Sequence, residues 1–302
     1  MIDFTLHIYR FLLESLLQQG YQFLTFEQYL QAKNDLPAEG DLQAKRSSNE
    51  VIFKQSDLLA EVIFKQSELP AEGDLPSQFI ILRHDVDLKA ANSLATARIE
   101  HELGICASYY FRVVPQSNQP DMIRAIADLG HEIGYHYEDM AIMHGDTQKA
   151  YAHFQQQLTY FRQFYPVRTI CMHGAPTSQW DGKELWKHYN YCDMGIIGEP
   201  YFDIDFSQMF YLTDTGRCWD GYKVSVRDKI PVYQDQWNMQ GLVYHATDDI
   251  IRAAEQGSLP PRIMITTHPQ RWTDNRLAWL KELLVQNLKN IIKRLIIKLK
   301  GH

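Results

Sequence analysis

Phe79-Ile-Ile-Leu-Arg-His-Asp-Val-Asp87 begins as an apolar run and ends with two acidic residues. The apolar run predicts a buried strand over Phe79–Arg83, with the acids just beyond its carboxyl end. From this point the chain alternates short apolar or β-rich runs with longer segments of helical periodicity. Such alternation is typical of βα units around a parallel sheet.

The strands predicted in this way follow one another along most of the chain. They are Phe79–Arg83, Cys106–Val113, Glu132–His136, Thr169–His173, Gly195–Gly198, Phe210–Thr213 and Arg262–Thr267. Helical patterns fill most of the gaps, as at Leu88–Leu103, Met122–Leu129 and Thr147–Phe164. A barrel and an open doubly wound sheet both fit this order of elements.

Two segments precede the first of these strands. Apolar residues at helical spacing within 4–17 predict a helix, and we assign residues 1–32 to an N-terminal helical cap. Residues 33–78 contain repeats, since Glu50–Ser56 recurs as Glu61–Ser67. Because polar residues, Pro and Gly dominate there, we expect a mobile insertion rather than a solenoid. Residues 79–302 form the predicted catalytic domain.

The composition argues against several classes of protein. A formal charge of −7 over 302 residues argues against a nucleic-acid partner, because phosphate recognition needs clustered Lys and Arg. The four cysteines form no Cys-x-x-Cys pair of a zinc knuckle or redox site. Asp3 and Arg10 flank the first apolar stretch, which is unlike a secretory signal, and no apolar run reaches transmembrane length. We therefore expect a cytoplasmic protein.

Polar side chains that can do chemistry follow the carboxyl ends of several predicted strands. They are Asp85, Asp87, His136, His173, Asp214 and His268. In a barrel of parallel strands these ends meet on one face, where barrel enzymes place their active sites. We therefore favour a barrel with one site built from these residues.

The spacing of Asp85 and Asp87 suits metal-assisted hydrolysis. One carboxylate can bind a divalent ion that lowers the pKa of water, while the other takes the remaining proton. His136 is the predicted ligand from the next cluster, because His is the commonest metal ligand. His268 is the predicted general acid, held by the following Pro269. The alternative for Asp87 is the N-cap of the next helix.

These residues resemble the polysaccharide deacetylases, also called carbohydrate esterase family four, from about Phe79 to Trp272. Gly130-His-Glu-Ile-Gly-Tyr-His136 closely matches a family motif that supplies the first metal-binding histidine. His84-Asp-Val-Asp87 is similar to the motif of the base and a metal ligand, with one residue inserted between the acids. Thr267-His-Pro269 is similar to the motif of the general acid.

The resemblance implies roles for individual residues. Asp85 is the expected base and His268 the expected acid, while Asp87 and His136 are expected metal ligands. It also implies a distorted (β/α)7 barrel and a divalent ion, with Zn²⁺ expected. Asp214 and Trp219 are candidates for orienting His268 or contacting sugar.

The chain departs from the family at two places. The second metal-binding histidine of the family falls four residues after the first, where this chain has Met140. We prefer His173 as the replacement, because it ends a predicted strand on the same face, and keep Glu138 and His144 as alternatives.

The second departure is the family's arginine motif, which is changed here. Either Arg83 or Arg271 is expected to compensate by steering the base.

The last helical pattern is amphipathic and basic. Apolar residues from Leu284 to Leu299 share one side, with Lys289, Lys293 and Arg294 largely on the other. We expect Leu277–Leu288 to pack on the barrel wall, and the last turns offer a possible peripheral contact with the inner membrane face.

The predicted function is hydrolysis of an N-acyl group, most simply acetyl, from an amino sugar in polysaccharide or glycoconjugate biosynthesis. One alternative is another amide hydrolase on the same scaffold, such as a deformylase or a cyclic-amide hydrolase. The other is a catalytically inactive carbohydrate-binding protein, which the missing histidine at Met140 would suit.

Overall fold

A parallel sheet organises the computed structural model, which describes residues 2–35, 75–175, 178–219, 225 and 229–299. The strands described are β1 (Gln22–Leu24), β2 (Phe79–Val86), β3 (Ser108–Phe111), β4 (Glu132–Tyr137), β5 (Ile170–Met172), β6 (Phe210–Thr213) and β7 (Arg262–Thr267). Their order is β5-β4-β3-β2-β7-β6, and every pairing is parallel. β1 and β3 share one edge of β2: Gln22 lies opposite Phe79, and Ser108 opposite Arg83.

The sheet curls into an incomplete barrel, which confirms the predicted α/β fold with a distorted barrel. β5 and β6 are the edge strands, and no ladder joins them within the described residues. The predicted strand at Gly195–Gly198 is wrong, since Gly198 pairs only in an isolated bridge with Thr169. Gly195 instead takes a left-handed φ of 71° at the end of a short helix. The seventh strand is β1, which comes from the segment that we assigned to the cap.

Helices surround the sheet. They are α1 (Leu6–Gln18), α2 (Phe26–Asp35), α3 (Ala90–Glu102), α4 (Pro120–Asp128), α5 (Asp139–Ile142), α6 (Thr147–Phe161), α7 (Pro200–Asp203), α8 (Pro231–Met239), α9 (Thr247–Glu255) and α10 (Arg276–Leu299). Short 3-10 helices occupy Gly182–Lys187, Tyr191–Met194 and Pro269–Arg271. Residues 36–74 of the predicted insertion lie outside the described residues.

Helix α1 packs on the barrel through an apolar face that its sequence predicts. The Thr5 hydroxyl accepts a hydrogen bond from the Ile8 N–H and so caps the first turn. Ile8, Leu12 and Leu16 recur every four residues and are all buried. The helix contacts α9 and α3, and so joins the start of the chain to helices of the barrel.

Strand β2 separates the barrel interior from the helix layer. All its residues are buried, and alternate side chains of a strand point to opposite faces. Arg83 and Asp85 pair with each other in the interior, whereas His84 lies against Glu100 of α3. The alternation therefore turns the first predicted acid towards the centre of the barrel.

Helix α10 meets the barrel within the predicted segment Leu277–Leu288, through Trp279 and Glu282, but most leucines of that segment do not take part. Leu277, Leu284 and Leu288 are 81%, 62% and 60% exposed, whereas Gln286 is buried. The side that meets the barrel is thus the more polar one. Within the described residues, no helix combines the length and apolar character needed to cross a membrane.

Candidate metal centre

The structure brings the five predicted site residues to one end of the barrel. Asp85 lies in β2 and Asp87 one residue beyond it, while His136 lies in β4. His173 and His268 each follow the last residue of a strand, β5 and β7. Because all these strands are parallel, their carboxyl ends open on the same face.

Gly134 in β4 leaves room for the side chain of Tyr110 in the barrel interior. A Cβ atom added there would lie 2.3 Å from Cε1 of Tyr110, a clash that no real pair of carbon atoms tolerates. The Tyr110 ring, fully buried, therefore fits between β3 and β4 only because position 134 has no side chain. The ring fills the interior beside the strand that presents His136.

Asp87, His136 and His173 converge on one point. Nε2 of His136 lies 3.6 Å, and Nε2 of His173 3.3 Å, from Oδ1 of Asp87. Both distances exceed the usual range of an N–H···O hydrogen bond. Oδ1 of Asp87 is buried and has no hydrogen-bond partner among the described residues. A buried carboxylate oxygen without a hydrogen-bond donor is suited to bind a metal ion.

Second contacts orient both histidine rings. Nδ1 of His136 lies 3.0 Å from the carbonyl oxygen of Cys171, and Nδ1 of His173 lies 2.8 Å from Oε2 of Glu138. Such contacts hold the proton on Nδ1 and leave Nε2 as the electron-pair donor. Arg112 donates two hydrogen bonds to Oε1 of Glu138, at 2.8 and 2.6 Å.

The charges around these ligands favour the forms that bind metal. Burial acts to raise the pKa of Asp87, but His173, His268 and His136 outweigh it and lower that pKa. Burial lowers the pKa of His136 well below its usual range, and His173 adds to the effect. Burial acts to raise the pKa of Glu138, but His173 and Arg112 hold it at about 2. An anionic Asp87 and a neutral His136 are the forms that bind a divalent ion.

Arg83, and not Arg271, holds the predicted base. Its Nε and Nη2 donate to Oδ1 and Oδ2 of Asp85 at 2.7 and 2.6 Å. Asp85 Oδ2 is also 3.7 Å from Nε2 of His136. Asp85, His136 and Cys171 form a second group with ligand-like spacing. Because Arg83 occupies both oxygens of Asp85, the open oxygen of Asp87 is the better ligand.

Asp214 anchors the predicted acid. Its Oδ1 is 2.6 Å from Nδ1 of His268 and accepts from Arg271 at 2.5 Å, and its Oδ2 accepts from the Trp272 indole at 2.8 Å. Burial acts to raise the pKa of Asp214, but Arg271 and His268 bring it to about 2. Burial and Arg271 act to lower the pKa of His268, but Asp214 outweighs both and raises it. His268 therefore stays protonated to a higher pH than an ordinary histidine.

The alternatives to His173, and Trp219, supply no atom to the group formed by Asp87, His136 and His173. Met140 is buried in the core, and His144 packs edge-on against Trp180 with ring centroids 5.7 Å apart. Trp219 is buried and donates its indole N–H to Thr247 at 2.9 Å, which leaves it a packing role. Glu138 supports His173 and does not join the group of ligand atoms.

Sequence reasoning missed two contacts at the site. Arg112 follows β3 and binds Glu138, and Gln270 donates to Oδ2 of Asp87 at 3.2 Å. Arg112 stands one residue after the end of β3, but the predicted strand ran on to Val113, so the sequence did not mark Arg112 as a strand-end residue. Gln270 lies in a 3-10 helix after His268, and nothing local distinguishes it.

Comparisons with known proteins find a distant likeness. No family model matches the chain, and no curated protein matches it. Among solved structures, wild-type BA3943, described as a CE4 family pseudoenzyme from Bacillus Anthracis, aligns at 12% identity and a TM-score of 0.40. The alignment covers 73% of this chain and 63% of that one, so the chain spans less than two thirds of that protein. The assignment of function therefore rests on this chain's own residues.

Proposed function

We propose that this protein is a metal-dependent hydrolase that removes an N-acyl group, most simply acetyl, from an amino sugar. The observation that carries the proposal is the open, buried Oδ1 of Asp87, which faces the Nε2 atoms of His136 and His173. The amino sugar itself rests on the resemblance of 84–87 and 130–136 to the motifs of polysaccharide deacetylases. A cytoplasmic location is part of the same proposal.

The three residues fit a zinc-like ion. Atoms about 2.1 Å from a shared ion in a tetrahedral site lie about 3.4 Å from one another. The separations of 3.6 and 3.3 Å at Asp87 agree with this spacing. Two histidines and a carboxylate are a ligand set of catalytic zinc sites with room for water or substrate. An ion held there would act as a Lewis acid towards the amide carbonyl.

Asp85 is the proposed base. It is the one remaining carboxylate of the first motif, and it is 4% exposed at the end of the barrel interior. The two hydrogen bonds from Arg83 fix its plane, so the carboxylate keeps one orientation towards the ligand group. In this position Asp85 takes the proton of the attacking water.

His268 is the proposed acid. Its Nδ1 is held by Asp214, while Nε2 lies 3.9 Å from Oδ2 of Asp87 and so faces the ligand group. The raised pKa keeps a proton on the ring to a higher pH than in an ordinary histidine. His268 would give that proton from Nε2 to the departing amine, on which an amide hydrolase depends.

The proposal is tested by metal content and activity measured together. The purified protein should hold one divalent ion per chain, and Asp87→Asn and His173→Ala should lose it. Asp85→Asn and His268→Gln should keep the ion and lose hydrolysis of N-acetylated amino sugars by about a hundredfold or more. A protein that binds no divalent ion would refute the enzyme assignment. A bound ion with activity on formyl or cyclic amides alone would keep the chemistry and reject the sugar.

A further inference from the structure

Helix α10 exposes a continuous band of apolar side chains, which we call the apolar stripe. Its members are 41% to 81% exposed, and they are Leu277, Leu280, Leu284, Val285, Leu288, Ile291 and Ile292. With 3.6 residues per turn these positions occupy an arc of about 140°. Elsewhere in the described residues, exposed large apolar side chains occur singly or in pairs along the chain. A band of this size marks an interaction surface.

The opposite side of α10 is fixed to the barrel by polar contacts. The Trp279 indole donates to the carbonyl oxygen of Asp3 at 2.8 Å, and Glu282 pairs with Lys89 at 3.0 Å. Asn290 donates to the carbonyl oxygen of Gly216 at 2.7 Å. Because these contacts bind one side of the helix, the stripe is held outward.

The segment that contains α10 is strongly basic. Residues 276–302 carry seven basic residues and one acid, Glu282, although the whole chain has a formal charge of −7. Lys281 falls within the arc of the stripe and Lys289 lies beside it, and both are exposed, whereas Glu282 is paired with Lys89 towards the barrel. An exposed apolar band bordered by cations matches the surface of an anionic bilayer. A second copy of the same helix would bring lysines against lysines instead.

We propose that the apolar stripe and its lysines dock this protein on an anionic lipid surface as a peripheral contact. Helix α10 itself lies next to the candidate metal centre, because Glu282, on the side that meets the barrel, binds Lys89, two residues after Asp87. A docked chain would therefore hold that end of the barrel near the lipid headgroups. The proposal rests on the surface of α10 alone and does not depend on the proposed hydrolase activity.

Vesicle sedimentation of the full chain tests the proposal. The protein should bind vesicles of phosphatidylcholine mixed with phosphatidylglycerol, and should bind pure phosphatidylcholine much more weakly. Lys281→Gln and Lys289→Gln should each weaken binding to the anionic vesicles about fivefold. Added salt should weaken binding as well, because it screens the attraction between lysines and headgroups.

The apolar contribution has a matched control. The double variant Leu284→Ser with Leu288→Ser should weaken vesicle binding about tenfold or more. Val232→Ser with Met239→Ser removes two side chains of α8 that are 82% and 83% exposed, and it should leave binding unchanged. Far-ultraviolet circular dichroism should be the same for both double variants, because no buried side chain is altered.

Three outcomes would overturn the proposal. The first is a full chain that does not sediment with anionic vesicles. The second is equal loss of binding in the α10 and α8 double variants. The third is a wild type that forms a stable dimer and does not bind lipid, together with an α10 double variant that is monomeric. That result would assign the stripe to contact with a second copy of the chain.

Discussion

The two faces of β2 carry buried histidine–carboxylate clusters that differ in how completely they are paired. On the helix side, Tyr9 and Tyr109 donate to the two oxygens of Glu100 at 2.5 and 2.8 Å. His84 Nε2 lies 2.9 Å from Oε1 of Glu100, at an angle poor for a hydrogen bond. On the barrel side, Oδ1 of Asp87 has no donor among the described residues.

This difference separates a structural cluster from a site. A buried carboxylate without donors costs free energy, so a fold tolerates one where a ligand completes it. Glu100 is completed by its own chain: burial acts to raise its pKa, but His84, His131 and Tyr9 lower it. Asp87 accepts from Gln270 at Oδ2, but its Oδ1 has no donor among the described residues. The two clusters should therefore respond to mutation in opposite ways, one through activity and the other through stability.

The largest effect is expected at Asp87. Asp87→Asn removes the open ligand oxygen, so hydrolysis should fall by about a thousandfold or more, which is several kcal/mol in the barrier. The free energy of unfolding of the metal-free protein should change by less than about 1 kcal/mol, because few protein contacts are lost. Urea unfolding and activity assays measure the two quantities. A large loss of metal-free stability would make Asp87 a structural residue.

The second largest effect is expected on stability, at the cluster around Glu100. Glu100→Ala leaves the hydroxyls of Tyr9 and Tyr109 buried without their acceptor and removes the carboxylate beside His84, so stability should fall by about 3 kcal/mol or more. Glu102→Ala, near the exposed end of α3, is the control and should cost less than about 1 kcal/mol. Urea unfolding at neutral pH gives both values. A cost at Glu100 no larger than that at Glu102 would contradict the assignment of the cluster to stability.

The third effect tests whether Glu138 supports a ligand. Glu138→Gln removes the charge beside Nδ1 of His173, and metal affinity should fall about 10- to 100-fold. Asp139 is the neighbouring control, because it is buried and binds Tyr135 and His153 instead of a ligand. Asp139→Asn should therefore change metal affinity little. Competition with a chromophoric chelator measures both affinities, and equal losses would remove the special role of Glu138.

The smallest effect is a shift in the pH profile. Asp214 raises the pKa of His268, so the protonated acid is lost only as pH rises through that raised pKa. Asp214→Asn removes the negative charge, lowers the pKa of His268, and should move the alkaline limb of kcat/KM to lower pH. Asp248→Asn, on the exposed surface of α9, should leave the limb in place. An unmoved limb in Asp214→Asn would argue against His268 as the acid.

Local pattern was enough to predict most of the strands and the first acid pair. The apolar run at Arg262–Thr267 coincides with β7, and the run at Phe79–Arg83 forms the first part of β2, because a buried parallel strand needs apolar residues on both faces. β2 continues to Val86, so Asp85 lies inside the strand and not beyond it. The run at Gly195–Gly198 failed because a few residues of mixed character fit a turn as well as a strand. β1 was not predicted, because a strand of three residues is too short to show a periodic pattern.

The sequence by itself determined which residues stand at strand ends and that α10 has one apolar and one basic side, because both follow from the periods of strand and helix. Only the tertiary structure decided that His173 rather than His144 approaches Asp87, and that Arg83 rather than Arg271 holds Asp85. It also decided that the apolar side of α10 faces outward. The reason is that contacts between distant residues depend on the curl of the sheet and on how helices dock, which no local period specifies.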